Sequence, residues 1–211
     1  MRKLPSNLSD IRYLISKLGL GFIRGIFRYP FLSFGSNIPL LGKNIKFISS
    51  RKIKFGSLVV LSSNGYFDAN CSKKIFLDDG VTIREFFWIQ SRSGLNQVGE
   101  GMHIMSNSYI GPYAKIGIGG FVEIGKNCQI GSRFSINAEE HSQKDGTYTS
   151  GKVSRQGVNI GNNVWIGDNV TILDGVTVGD NAVIGANSLV NKDLPKNTVS
   201  FGMPCKVQRP L

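Results

Sequence analysis

Aliphatic residues recur every six positions at Ile160, Ile166, Ile172, Val178, Ile184 and Val190, and the register does not slip. Two residues before them stand Val158, Val164, Val170, Val176, Ala182 and Ser188, and Gly161, Gly167, Gly179 and Gly185 follow four of them. Each hexad therefore gives two inward aliphatic or small side chains flanking one outward residue, which is strand alternation, and then a glycine-containing corner. Six residues cannot hold both a strand and an independent return connection, so the chain must turn after each short strand and stack the next circuit on the last. An all-β solenoid follows, rising about 4.8 Å per circuit.

The same spacing runs through Val98, Ile104, Ile110 and Ile116, then resumes two residues out of phase at Ile118, Ile124, Ile130 and Ile136. The Gly117-Ile118-Gly119-Gly120 stretch is expected to absorb the slip as a widened corner. A fainter run, Leu77, Ile83 and Ile89, sets the expected start of regular coils near residue 75, with flatter structure from about 40. The organisation read from this pattern is a basic amphipathic segment over 1–40, a β-helix over 41–200 interrupted by a loop at 137–157, and a tail over 201–211. No phosphate-binding glycine motif in a strand-to-helix context occurs, so the glycines are read as corners.

Positive charge is concentrated at one end. Residues 1–60 hold 11 Lys and Arg against Asp10 alone, whereas residues 61–211 hold 14 against 13 acids. Such a segment is either a solvated, solubilising face or a surface for an anionic partner, a membrane or an acidic glycan. Nucleic acid is disfavoured, because no zinc-finger spacing, RNP-like aromatic motif or heptad-linked basic region accompanies the charge. Arg12, Lys17, Arg24 and Arg28 interrupt the apolar stretch from Ile11 to Phe34, which argues against a secretory leader or a spanning helix. Ile11, Leu14, Ile15 and Leu18 lie at helical spacing, so a short amphipathic helix is expected there, packed on the protein or lying on a membrane interface. Cys71, Cys128 and Cys205 are odd in number and far apart, which fits neither a disulfide framework nor a zinc site and suits a reducing compartment.

The segment VNIGNNVWIGDNVTILDGVTVGDNAVIGANSLV over 158–190, followed by NKDLP at 191–195 and GMPCKV at 202–207, resembles the hexapeptide-repeat acyltransferases, most strongly the sugar and exopolysaccharide O-acetyltransferases. Phe27-Arg28-Tyr29-Pro30-Phe31 resembles the exopolysaccharide branch. The resemblance implies a left-handed parallel β-helix, a homotrimer with sites between neighbouring prisms, and acetyl transfer from acetyl-CoA to a hydroxyl of a glycan, with no metal, in the cytoplasm or at the inner membrane face. Acetylation of a small molecule, or a non-catalytic binding role, are the other readings.

The chain has two histidines. His103 falls between inward Met102 and Ile104 and is expected on the surface. His141 lies in Asn137-Ala-Glu-Glu-His-Ser-Gln, within the loop that leaves the solenoid, and the resemblance makes it the general base. An imidazole exchanges protons near neutrality and so suits removal of a hydroxyl proton as attack begins. Either Glu139 or Glu140 could orient it; Glu139 matches the family acid, while Glu140 stands where relatives commonly have Asn. Asn137 and Glu140 are placed beside the acceptor. Trp165, outward between Val164 and Ile166, is expected in a subunit interface that also covers the pantetheine arm and the acceptor. Gly167, Asp168, Ala186, Asn191, Lys192, Lys206 and Arg209 match family cofactor contacts, with Asn191 and Asp168 departing from the usual residues.

Overall fold

A computed structural model describes residues 20–94, 97–143, 146–147 and 153–211. The helix expected around Ile11 to Leu18 lies outside them. From Leu40 onward the chain winds as a parallel β-helix with three faces visited in turn. The first face runs from Leu40–Leu41 through Tyr109–Ile110, Gln129–Ile130 and Trp165–Ile166 to Thr198–Phe201. The second carries Tyr66–Asp68, Trp88–Gln90, Lys115–Gly117, Ser135–Asn137 and Thr171–Leu173; the third carries Ile53–Phe55, Met102–Ile104, Val122–Ile124 and Val158–Ile160.

The six-residue period explains this stacking directly. Asn159 pairs with Thr177, Trp165 with Val183 and Thr171 with Leu189, so one circuit of three faces consumes three hexads. Every hexad residue from Ile160 to Val190 is buried, and so is every residue two positions before. They form one continuous core whose bulkiest members are Phe55, Phe67, Phe87 and Phe134. Burying each such side chain contributes roughly 1.5–3 kcal/mol, and identical aliphatics stacked on successive coils leave few voids.

Two expectations need correction. Coils begin at Leu40, not near residue 75: Leu40 pairs with Val60, and Ile53 with Ile75. The lower circuits hold 20 or 22 residues, the spacing of the bonded pairs Asn44–Asn64 and Ser57–Asp79, so extra corner residues hide the six-residue spacing. Val98 is not a core rung. It is exposed in a small antiparallel pair, Arg92–Gly94 with Gln97–Val98, and the coil resumes at buried Met102 and Ile104.

The glycines after the aliphatics also act differently from simple turn formers. The left-handed corner conformation is adopted mainly by asparagine, at Asn127, Asn163, Asn169, Asn181, Asn187 and Asn197 among others. Their amides bond coil to coil, Asn163 to Asn181 at 3.2 Å and Asn181 to Asn197 at 2.9 Å. The glycines instead allow close stacking: a Cβ on Gly167 would lie 2.7 Å from the Ala186 nitrogen, and one on Gly125 2.5 Å from the Gly161 carbonyl carbon. Acids complete the corners, Asp168 accepting the Ser132 N–H at 2.7 Å and Asp180 the Asn162 N–H at 2.6 Å.

Both edges of the first face are covered. Below, helix α1 (Gly21–Arg28) seats Gly21 and Gly25 against Pro39–Leu41, and Arg24 Nε donates to the Leu41 carbonyl at 2.8 Å. Its small residues face the coil, leaving Phe22, Ile23, Ile26 and Phe27 exposed. Above, Lys206–Pro210 pairs antiparallel with Thr198–Phe201.

Ile166→Ala should lower the unfolding free energy by about 2–5 kcal/mol in a urea titration, against a change within about 0.5 kcal/mol for Lys126→Ala at an exposed corner. Burial pushes the Cys71, Cys128 and Cys205 thiols up. Native protein at pH 8 should therefore react slowly with Ellman's reagent, and all three thiols should appear promptly on denaturation.

Candidate functional site

The 137–157 loop leaves the second face after the strand Ser135–Asn137. Ile136 is buried and holds that strand on the core, so outward Asn137 sits at the edge of the departing loop. Glu140–His141 then pairs antiparallel with Val153–Ser154, which turns the loop back over the face. Asp174 fixes its return, one carboxylate oxygen accepting the Gln156 N–H at 3.0 Å and the other the Gly157 N–H at 2.8 Å.

Beneath this loop lies a cleft of about 710 Å³, lined among others by Trp88, Asn137, Glu139, His141, Asp174 and Asn191. His141 is 42% exposed, with Nε2 3.6 Å from Glu139 Oε1. The second Glu139 oxygen lies 3.4 Å from an Arg155 guanidinium nitrogen, and Arg155 also donates to the Val98 carbonyl at 3.0 Å. The acid beside the imidazole is thus gripped by a cation tied to the neighbouring hairpin. Gly119 makes room for it, since a Cβ there would lie 2.7 Å from Glu139 Oε2. The widened corner at Gly117–Gly120 has this use: Ile118 stays buried while Gly119 and Gly120 press against the base of the loop. Glu140, in the same short strand as His141, is exposed.

Trp165 points outward, as alternation requires, but on the first face. It lines a separate groove of about 390 Å³ with Tyr109, Gln129, Gly131, Gly167 and Ala186. Gly131, Gly167 and Ala186 give this groove a low floor that a thin chain could follow. Asp168 borders it with one oxygen engaged by the Ser132 N–H. Lys206 and Arg209 are exposed on the last strand of this face. Asn191 lines the His141 cleft instead, with Lys192 exposed beside it. The residues predicted from sequence thus divide between two faces of one protomer: His141, Glu139, Glu140, Asn137 and Asn191 on one, Trp165, Gly167, Asp168 and Ala186 on the other.

His103 lies away from both grooves, on the third face, 3.0 Å from Asp78 Oδ1 and edge-on to Phe76. Among the described residues no cluster of three metal-binding side chains occurs, and no helix is long and apolar enough to cross a membrane. Sequence reasoning missed Trp88, Lys115, Arg155 and Asp174. The first two were within reach, because they directly precede the inward rungs Ile89 and Ile116 and so must face outward.

Residues 157–192 match the family described as bacterial transferase hexapeptide (six repeats). Galactoside O-acetyltransferase of Escherichia coli (strain K12) is 37% identical over 129 residues, which cover 61% of this chain and 63% of that protein. The match therefore spans less than two thirds of that relative's length. Among solved structures, the N-acyltransferase AntD from Bacillus cereus, in complex with dTDP and 3-hydroxybutyryl-CoA, superposes with a TM-score of 0.55 at 18% identity, covering 89% of this chain and 87% of that one. A hexapeptide-repeat-containing acetyltransferase from Vibrio cholerae gives 0.50 at 20% identity, covering 96% and 93%. At such identities these likenesses speak to fold alone. With its six-residue period and three-faced coil, the chain has the fold of the left-handed parallel β-helices, and residues 157–192 carry the bacterial transferase hexapeptide repeat.

Proposed function

We propose that the protein is an acetyltransferase that moves an acetyl group from acetyl-CoA to a hydroxyl of a glycan, a bacterial surface polysaccharide or its precursor. The observation that carries this reading is the exposed His141 imidazole, held beside Glu139 at the mouth of a cleft with room for a sugar. A hydroxyl is a poor nucleophile while it keeps its proton. His141 takes that proton, on the ring nitrogen turned away from Glu139, as the acceptor oxygen bonds to the thioester carbonyl carbon. The carbon–sulfur bond breaks, and the proton passes from His141 to the departing sulfur. Glu139 orients the ring, and Arg155 fixes Glu139. All three cysteines are buried, which supports direct transfer over a cysteine acyl-enzyme.

Acetyl-CoA supplies the activated acyl group. Its pantetheine arm would follow the low floor of Gly131, Gly167 and Ala186 beside Trp165, with Lys206 and Arg209 toward its phosphates. Because His141 and Trp165 stand on different faces, the complete site requires two copies, and a homotrimer is the closed assembly that repeats one such junction three times. Asn137 and Glu140 would then border the acceptor. The exposed apolar residues of helix α1, interspersed with Arg24 and Arg28, suit shallow contact with an anionic membrane surface, which would hold the enzyme at the inner face near a lipid-linked or acidic acceptor.

Incubation with labelled acetyl-CoA and a panel of glycans should transfer label to at least one polymer or oligosaccharide, and His141→Ala should lower the rate by about 100-fold or more with the assembly mass unchanged. Full turnover by His141→Ala would defeat the assignment. Co-refolding His141→Ala with Trp165→Ala should restore roughly a quarter of the sites by random assortment, because each site draws the two residues from different copies. No recovery from two inactive, correctly assembled variants would place both residues in one protomer's site.

A further inference from the structure

The lower pole of the prism is covered by a segment whose apolar side faces outward. Residues 21–37 pass beneath the lowest strand of each face in turn. Gly21 and Gly25 seat α1 under Pro39–Leu41, and the Arg28 guanidinium lies 4.8 Å from the centre of the Phe47 ring. Past the helix, buried Leu32 joins the core. Ser36 Oγ then accepts the Phe55 N–H at 2.7 Å, and the Asn37 N–H donates to the Phe55 carbonyl at 2.9 Å. Leu41, Phe47 and Phe55 belong to the strands that end the three sheets. The far side of the segment therefore looks down the coil axis, away from the first and second faces through which copies are proposed to join.

That side is apolar where a solvated end would be polar. Leu20, Phe22, Ile26, Phe27, Phe31 and Phe34 are all at least 45% exposed, Phe27 at 77% and Phe34 completely, whereas α1 buries only its two glycines. Single apolar residues scattered over a surface carry no message, but such a run within residues 20–34 marks a surface with a partner. The charge around it is of one sign. Residues 20–60 hold seven Lys and Arg and no Asp or Glu. Arg24 and Arg28 lie in α1, and Lys43, Lys46 and Lys54 stand exposed on the lowest coil. Among the described residues, none of the seven forms an ion pair. A second copy docked pole to pole would bring these cations together, and like charges oppose that contact. Residues 1–19 hold four Lys and Arg against Asp10, so they bring no compensating charge either. An anionic bilayer supplies both missing partners, headgroups for the cations and an apolar boundary for the rings.

We infer that the lower pole is a docking surface for an anionic phospholipid membrane, on which the prism stands end-on with the Phe27 and Phe34 rings in the headgroup boundary. Four strand steps, Lys46 to Tyr66 to Trp88 to Lys115 to Ser135, separate the lowest coil from the one that launches the His141 loop. At about 4.8 Å per step the cleft stands about 19 Å above the lowest coil, which is the reach required of an acceptor tethered to that membrane. Prisms joined side by side in a closed ring present their lower poles on one side, where weak contacts add to a firm attachment. The inference rests on the membrane contact in the reading above and fixes its surface and its orientation.

Co-sedimentation of the full chain with sucrose-loaded vesicles tests it. Vesicles of equal parts phosphatidylcholine and phosphatidylglycerol should bind the protein about 10-fold or more tightly than phosphatidylcholine alone, and high salt should release it. Phe27→Ser with Phe34→Ser should weaken that binding about 10-fold or more, while assembly mass and melting temperature stay the same. An environment-sensitive thiol dye on Phe27→Cys should shift to the blue with the mixed vesicles. The same dye on Glu123→Cys, outward on the third face, should not shift; the native thiols are buried. Equal binding to both vesicle types, or unaltered binding by the double variant, overturns the inference. So does a dye shift at Glu123→Cys, which would lay the prism on its side. A changed assembly mass would assign the apolar run to a second copy, and a lower melting temperature would assign it to packing within the chain; either result overturns the inference. Labelled acetyl transfer on the same preparations separates the two readings. Vesicle binding without transfer to any acceptor defeats the catalytic reading and leaves the docking surface standing, and transfer without vesicle binding does the reverse.

Discussion

Stacked inward rungs hold everything else in place. Ile130, Ile166 and Ile184 lie directly over one another on the first face, as Ile116, Ile136, Ile172 and Val190 do on the second. Parallel strands put like on like, so an aliphatic every six residues becomes a continuous apolar column, and the hydrogen-bonded ladder fixes its spacing. The core is narrow, but it extends with each added coil. Outward positions are released from folding duty, and the chemistry is written on them: Trp88, Lys115, Asn137 and Trp165 are all immediate neighbours of a rung.

The corners make the column tight enough to work. Glycine at Gly125, Gly161 and Gly167 lets successive coils approach at distances no β-carbon permits, and asparagine bridges the left-handed turns. Asp168 and Asp180 accept backbone N–H groups that would otherwise go unpaired as the chain changes face. The Asp168 carboxylate has a task in the corner whether or not a ligand lies nearby.

The upper coils were legible in the sequence because their circuits are uniform, and every rung from Ile160 to Val190 is buried as the period requires. The lower coils were harder to see, since their longer circuits shift the phase at each corner and sequence spacing no longer equals spatial register. Val98 illustrates the error: it keeps the six-residue beat yet sits on an exposed hairpin, because a period counts residues and not the path between them. The outward direction of Trp165 and the loop position of His141 could be read from alternation and from the break in the repeat. The grip of Arg155 on Glu139 could not, because it joins the two arms of one insertion, ties them to a separate hairpin at Val98, and leaves no periodic trace.

A parallel ladder has no natural end, and each terminal coil offers unpaired N–H and C=O groups to any strand that arrives. Here the antiparallel strand Lys206–Pro210 closes the upper edge of the first face with a run that carries Lys206 and Arg209 outward, while α1 and the Arg24 guanidinium occupy the lower edge at Leu41. On this face the ladder is therefore of finite height by construction, closed at both poles by elements that lie outside the repeat.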